Sequence, residues 1–418
     1  MRFNSFLDVN GKQEANDSGL NGHLMHLYDN QDLTFGEIKS ILIDASKASL
    51  EQVTEKMDGM NLVFTYDLLE DAVKVSRGSD IRFGGMTAQD LAAKFKGRGQ
   101  VEAAFKTAYR VVSGALSAVP DSVKTAIFGP AGNRWYSMEI IYADNPNVIQ
   151  YDNNNVVFHG WPVFDRSPSG VVKFVSDDSG IEALTKYISK MQKAVEDTGW
   201  HVKGPTFVRM QKLTDGTILN DALIKLNLAM TEADVTDADN IRQYLKNRFE
   251  DEVSMLRLSP RISAAIVTRC VEEHGCPTLT DIKKMSDKLT HGNIVSFVKN
   301  SPAMMKTFML PLEVAINGFA VELLRGLKSE LVDDSNYEVQ RLRDEVSKVI
   351  KDIEETGEPK EIEVLRRQMI RLGAVNNISA PLEGVVFRYK GNAYKFTGAF
   401  SAVNQILGIV KYKKFDRR

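Results

Sequence analysis

Cysteine is nearly missing from this chain of 418 residues: Cys270 and Cys276 are the whole supply. Two cysteines give no disulfide framework, and their scarcity fits a reducing compartment. His274 stands between them, but no second Cys-x-x-Cys or histidine pair completes a zinc site, so both read as structural. No sign of charge dominates either. With 53 Lys and Arg against 55 Asp and Glu, the net charge of −2 excludes a uniformly basic surface. Contact with nucleic acid must then come from local clusters such as 411–418, where five of eight residues are basic. A long apolar run is also absent: the most apolar stretch, 308–324, is interrupted by Pro311, Glu313 and Glu322, and no basic start leads into an apolar core. The expectation is a cytoplasmic protein that does not engage a membrane.

What is present describes an ordinary globular chain, 43% hydrophobic and 26% charged, long enough for two or three domains. Residues 1–22 are rich in Asn, Gly, Asp and Ser and read as a loose lead-in. Phe35, Ile38, Ile41, Leu42 and Ala45 recur at helical spacing, giving an amphipathic helix expected to pack behind the next feature. That feature is the run EKMDGMNL at 55–62, read as a hairpin: a strand ending at Lys56, an Asp58-Gly59 turn and a second strand over 62–66. Further strands are expected at 72–78, 134–142, 156–161 and 163–165, with helices over 87–96, 100–119 and 120–128 between them.

From about 180 to 372 the pattern is mainly helical, with a strand-like exception at 206–210. Its last part steps through Val339, Leu342, Val346, Val349 and Ile353, breaks at 356–359, and resumes with Ile362, Leu365, Met369 and Leu372. This is a helical hairpin whose seam is expected to pack within its own chain, leaving a monomer. Strand character returns at 383–389 and 393–396 around a Lys390-Gly391-Asn392 turn.

Lys56, Asp58, Arg77, Glu139, Glu383 and Lys395 all fall on expected strands or their turns, so a sheet can gather them at one cleft. Singly, each reads as an ordinary surface residue; together the charge mix suits a nucleotide. A lysine amine attacks phosphorus only when deprotonated, which neighbouring cations or a metal promote. Arg77 and Lys395 suit phosphate oxygens, and Glu139 and Glu383 suit Mg²⁺ or a ribose hydroxyl.

The run at 55–62 resembles motif I of the covalent nucleotidyltransferases, the superfamily of ATP-dependent DNA and RNA ligases and mRNA capping enzymes. Glu55 and Asn61 bring it nearest to phage RNA-repair ligases. Ser76-Arg77-Gly78 resembles motif Ia, the strand around Glu139 motif III, 156–165 motif IIIa, 382–387 motif IV and Tyr394-Lys395 motif V, in family order. The resemblance covers chiefly 34–165 and 380–410. It implies an α+β, ATP-grasp-like ligase core of antiparallel sheet, with ATP and Mg²⁺ as cofactors and nucleic-acid ends as substrate. Lys56 would become a lysyl-AMP, pass AMP to a 5′-phosphate, and a 3′-hydroxyl would then displace it. In the same terms Asp58 belongs to the catalytic motif and Glu55 lies beside the adenine. Asn61 and Arg77 belong to the nucleotide site, Arg77 contacting ribose or the end phosphate. Glu139 binds ribose or metal, Glu383 places a metal, Lys395 holds the α-phosphate, and Phe158 or Phe164, Phe158 by preference, stacks on the base. A phage-encoded chain of this kind would act in the host cytoplasm.

Three departures qualify the resemblance. Thr397 stands where motif V usually has a second lysine, with Lys390 or Arg388 as the available substitutes. A domain-sized segment separates motifs IIIa and IV, giving an expected division into 1–22, an adenylation domain of 23–175 with 380–418, and a helical insertion of 176–379 that could clamp nucleic acid. Little chain follows motif V, so no C-terminal OB-fold is expected, which favours RNA over DNA. The competing readings are a GTP-dependent capping guanylyltransferase and a non-catalytic nucleic-acid-binding protein on the same fold.

Overall fold

The computed structural model describes residues 24–413 apart from 273–274, 334 and 380–381. The lead-in at 1–22, His274 and the end of the basic tail at 414–418 lie outside the described residues. The chain is α+β and divides into two compact units, Met1–Leu24 with Glu51–Arg209 and Leu324–Arg418, and Met25–Leu50 with Met210–Leu323.

The first unit holds nine described strands: β1 (Thr54–Lys56), β2 (Met60–Asp67), β3 (Ala72–Ser76), β4 (Arg134–Ile141), β5 (Asn154–Arg166), β6 (Val172–Val175), β7 (Trp200–Lys203), β8 (Gly384–Tyr389) and β9 (Asn392–Phe396). They form two sheets. The larger runs β3-β2-β4-β5-β6, antiparallel throughout, with β7 added parallel to β5. The smaller runs β1-β8-β9, also antiparallel. The expected hairpin around Lys56 is therefore wrong: β1 and β2 belong to different sheets, and 57–59 is the crossing between them. The strand partner of Lys56 is Gly384, from the far end of the chain. Local pattern could not show this, because a short strand records its alternation but not its partner.

One face of the large sheet is apolar. Phe64, Tyr136, Met138, Ile140, Val156 and Phe158 pack there on Phe105, Val112 and Leu116 of the helix Gln100–Ser117 and on Phe128. The other face is divided. Val63, Trp135, Phe164 and Val172 close one end of it around Ile81, while Asn61, Ser137, Glu139 and His159 occupy the other, polar end.

The Lys390-Gly391 turn joins β8 to β9 as a two-residue loop with both residues at positive φ (48° and 81°), the geometry that matches strand twist. Thr206-Met210 is not a strand. It contributes an isolated bridge between Thr54 and Phe207 and hydrogen bonds to Val53 and Glu55.

The insertion is smaller than expected. The helix Asp178–Ala194 and β7 belong with the sheets, and so does the helical hairpin of Ser335–Thr356 and Pro359–Leu372, whose Leu342, Val346, Ile353, Leu365 and Leu372 are buried. Both arms pack on a C-terminal helix, Phe400–Lys413, that had no sequence forecast.

The second unit is helical. Lys56 belongs to the first unit, whereas Phe35–Ser46 belongs to this one. It starts with a capping box in which Thr34 Oγ1 accepts from Glu37 N–H and Glu37 returns the bond to Thr34 N–H. Its apolar face meets the helix Gly216–Glu232, and Phe35 lies edge-on to Tyr244. The helix His291–Leu324 carries Pro302 and Pro311 inside it. The segment Lys288–Leu324 has the length and hydropathy of a membrane span, yet 61% of its most apolar window is buried inside the protein, as in a core helix.

Candidate functional site

Strand alternation builds the site. Lys56 pairs with Gly384, and Val386 pairs with Lys395, so Lys56, Gly384, Val386 and Lys395 share one face of the small sheet. On the large sheet Asn61 pairs with Glu139, and Glu139 with Val157, which sets Asn61 and Glu139 on one face. The Lys56 amine forms an ion pair with Glu383, with the two side chains only 20% and 14% exposed. Burial alone would lower the amine's pKa, but the carboxylates of Glu383, Glu139 and Asp58 outweigh it and hold it above the ordinary lysine value. Glu383 shows the reverse balance. Burial pushes its carboxyl up to about 7, with the nearby Asp58 adding to the rise, against the pull of Lys56 and Lys395. Five of the six charged residues expected to converge thus do so.

Arg77 stands at the rim. It is exposed, its guanidinium lies 5.4 Å from the Phe105 ring centre, and the charges acting on it are Glu139 and Arg98. Asn61 orients Glu139: its amide donates to Ser137 Oγ at 2.9 Å, to the Met138 carbonyl at 3.3 Å and to Glu139 Oε2 at 3.5 Å. His159 Nε2 lies 3.4 Å from that same oxygen.

Two of the expected site residues are engaged by the protein itself. Asp58 is inside the site but structural in its contacts: Oδ2 accepts from Val148 N–H at 2.7 Å and Ile149 N–H at 2.8 Å, and its own N–H donates to the Tyr151 hydroxyl at 2.8 Å. It fixes the loop under the crossing and is a positioning residue. Glu55 alternates away from Lys56 and is 1% exposed, accepting from Ser329 Oγ at 2.7 Å and Glu330 N–H at 3.1 Å. Its carboxylate anchors the 329–330 segment.

The crossing is braced from behind by the helical hairpin. Arg341 donates to the Val148 carbonyl at 2.8 Å, and Glu338 Oε1 accepts from Gln150 N–H at 3.1 Å. Glycine is required at two points. A Cβ on Gly59 would stand 2.6 Å from the Ile140 carbonyl and 2.7 Å from Glu139 Cγ, and one on Gly384 would stand 2.0 Å from the Phe396 carbonyl. Each allows the backbone approach that brings Glu139 or Glu383 to the lysine.

Both aromatic candidates are core residues. Phe158 is fully buried on the apolar face, its ring 4.7 Å from that of Phe64, and Phe164 is fully buried against Trp135 and Phe174. The sequence marked the strand but not its facing. A pocket of about 300 Å³ instead opens beside Thr54, Gly160, Trp161, Ile181, Phe207 and Val386, with Arg388 in its wall. Thr54 and Val386 lie on the Lys56 face of the small sheet, two residues along their strands from Lys56 and Gly384. The Arg388 guanidinium lies 4.9 Å from the Trp161 ring and donates to Gln52 at 3.1 Å and Asp178 at 3.3 Å. The signal for Trp161 was available, since it alternates with Val157 and His159 rather than with Phe158. Thr397 is 4% exposed with its hydroxyl unpartnered among the described residues, a setting in which a lysine would be buried. Lys390 sits in the β8–β9 turn over the Tyr389 ring, and Arg388 lines the pocket.

Among the described residues no group of three or more His, Cys, Asp or Glu is arranged to hold a metal by itself. Mg²⁺ often takes only one or two carboxylates and completes its shell with water and substrate phosphates, so Glu383 and Glu139 around Lys56 are a fitting donor set. Comparison with family models, with curated proteins and with solved structures returned no match.

Proposed function

We propose that this chain is a covalent nucleotidyltransferase that seals nucleic-acid ends with ATP, on a nucleotidyltransferase core made of the two sheets. The observation that carries the reading is the β1-β8-β9 sheet, which joins the beginning and end of the chain so that Lys56, Glu383 and Lys395 meet across from Glu139. A mostly buried lysine next to a base-sized pocket suits the attack of an amine on a nucleotide phosphate once a metal and the incoming phosphates would take up the charge of the acids that hold it protonated.

In this reading the base enters the pocket beside Trp161 and the α-phosphate rests near Lys395. The Lys56 ammonium gives its proton to solvent water, and the free amine forms an N–P bond as the bond from the α-phosphorus to the bridging oxygen breaks and pyrophosphate leaves with that electron pair. A 5′-phosphate oxygen of a strand then takes the adenylate, and the amine regains a proton. Attack by a 3′-hydroxyl on that 5′-phosphorus expels AMP and joins the strands. At rest the amine is held protonated by Glu383, so the ion pair must part before attack. Glu139, steadied by Asn61 and His159, is placed for a ribose hydroxyl. Mg²⁺ held by Glu383 and Glu139 would supply positive charge for the phosphate oxygens.

RNA is the preferred substrate, on the strength of the Asn61-containing motif, with DNA also accepted. Comparing turnover on nicked RNA and nicked DNA duplexes tests the preference: release of AMP without joining of either would sink the ligase assignment. The capping alternative would take GTP in place of ATP. Competition between α-labelled ATP and GTP for covalent labelling decides between them, and ATP is the expected winner.

A further inference from the structure

The second unit has a net negative sequence, yet its longest helix, His291–Leu324, begins in a stretch of the opposite sign. Between Asp287 and Glu313 the chain holds no acid and three lysines, Lys288, Lys299 and Lys306. All three are exposed, and among the described residues none forms an ion pair, whereas the neighbouring Lys284 is already taken by Asp281 at 3.7 Å. Packing fixes which way the helix faces. Ile294, Ser301 and Phe308 recur at about every second turn and are buried. The Tyr244 hydroxyl donates to the Phe308 carbonyl at 2.7 Å, and the Phe249 ring lies 5.0 Å from that of Phe308, so the helix Ile241–Ser254 holds this inner face. Lys299 and Lys306 repeat at the same interval. At about 100° per residue they fall roughly 140–160° round from Ser301, on the outer face and about 10 Å apart along the axis. Asn293, Ser296 and Asn300 are exposed beside them.

We infer that this outer face of the helix is a track for the sugar-phosphate backbone of a nucleic-acid strand, gripping it without regard to base sequence or to the chemistry of its end. The inference rests on the ligase reading for its partner. A line of lysines matches a line of phosphates, because each ammonium is a compact point charge that displaces the counterions of one phosphate. The amide and hydroxyl side chains beside them suit phosphate and sugar oxygens, contacts that hold a strand and carry no sequence information. An anionic membrane also attracts lysines. Binding there draws on a buried apolar face, and the exposed large apolar side chains of 288–312 come down to Leu289 alone.

The test follows binding of the full chain to labelled single-stranded RNA by fluorescence anisotropy, without ATP, over a range of salt concentrations. Each phosphate neutralised on a single strand contributes about 0.7 to the slope of log affinity against log salt. The double variant Lys299→Gln, Lys306→Gln is expected to flatten that slope by about 1.4, a loss that grows about 25-fold for each tenfold fall in salt. The loss should be the same for RNAs of different sequence and for 5′-phosphate and 5′-hydroxyl ends, with the melting temperature unchanged. Lys299→Arg with Lys306→Arg, which keeps both charges, should hold the wild-type slope. A glutamine variant with the wild-type slope overturns the inference, and so does an arginine variant whose slope falls as far as the glutamine one. Wild-type protein that binds phosphatidylserine vesicles more tightly than RNA, and loses that binding in the glutamine variant, gives the face to a membrane surface and also overturns it. Lysyl-AMP formation, which needs no RNA, is measured alongside. Its absence from the wild type is the failure of the ligase reading, whereas the salt slopes judge the two lysines by themselves.

Discussion

Replacing Glu383 with glutamine should make the protein more stable at neutral and alkaline pH. The carboxyl titrates at about 7 in the fold against an ordinary value of 4.5. Below 4.5 it is protonated whether the chain is folded or not, and it contributes no difference. As pH rises from there the unfolded chain gives up this proton first, while the folded chain keeps its own until about 7. The folded state binds more protons across that window, so this group's contribution to stability falls as pH rises. The shift from 4.5 to about 7 corresponds to about 3 kcal/mol at most. Residual solvent contact of both side chains lowers the expected value to about 1–3 kcal/mol. Glutamine has the shape of the protonated acid and no such titration. Urea unfolding of both proteins should therefore agree closely at about pH 5 and diverge by about pH 8 in favour of the variant. A constant gap across that range, or one opening in favour of the wild type, would refute the argument that burial outweighs the Lys56 ion pair. The same variant should lose lysyl-AMP formation, so greater stability and lost activity go together, as at sites that hold charge for function.

Three further outcomes are expected. Trp161→Ala should raise the ATP concentration needed for lysyl-AMP formation by about ten- to a hundredfold, from the usual worth of a base on an aromatic ring, whereas Phe158→Leu should lower the melting temperature and leave that concentration unchanged. Gly384→Ala should cost about 1–3 kcal/mol in urea unfolding, because its Cβ meets the Phe396 carbonyl, and should slow lysyl-AMP formation by moving Glu383. Ser329→Ala removes a donor from the buried Glu55 carboxylate and should cost about 1–3 kcal/mol, with little change at neutral ATP saturation; a melting temperature equal to wild type would show that the 329–330 segment is not anchored as described.

Much of this could be read in the sequence, and the misses share a cause. Strand positions at β2, β4, β5, β8 and β9 followed from alternation, and the charged set followed from their turns. What alternation does not record is partnership. Lys56 was assigned to the strand next in sequence, yet its partner is Gly384, because a three-residue strand gains its register from tertiary contact alone. Facing failed for a related reason: Phe158 is on the apolar side by one residue, and that residue decides between a core ring and a binding ring. The short edge strands β6 and β7 carry too few residues for a period. The hairpin of Ser335–Thr356 and Pro359–Leu372 was clear as a hairpin, but nothing in its seam announced that Glu338 and Arg341 hold the loop beneath the site.

The covalent step is the claim on which the rest depends. Intact mass measurement after incubation with ATP and Mg²⁺, on the wild type and on Lys56→Ala, tests it most directly. A gain of one adenylate on the wild type alone, mapped by peptide analysis to Lys56, is the predicted result. Folded wild-type protein that gains no adenylate, or a Lys56→Ala variant that gains one, would contradict it.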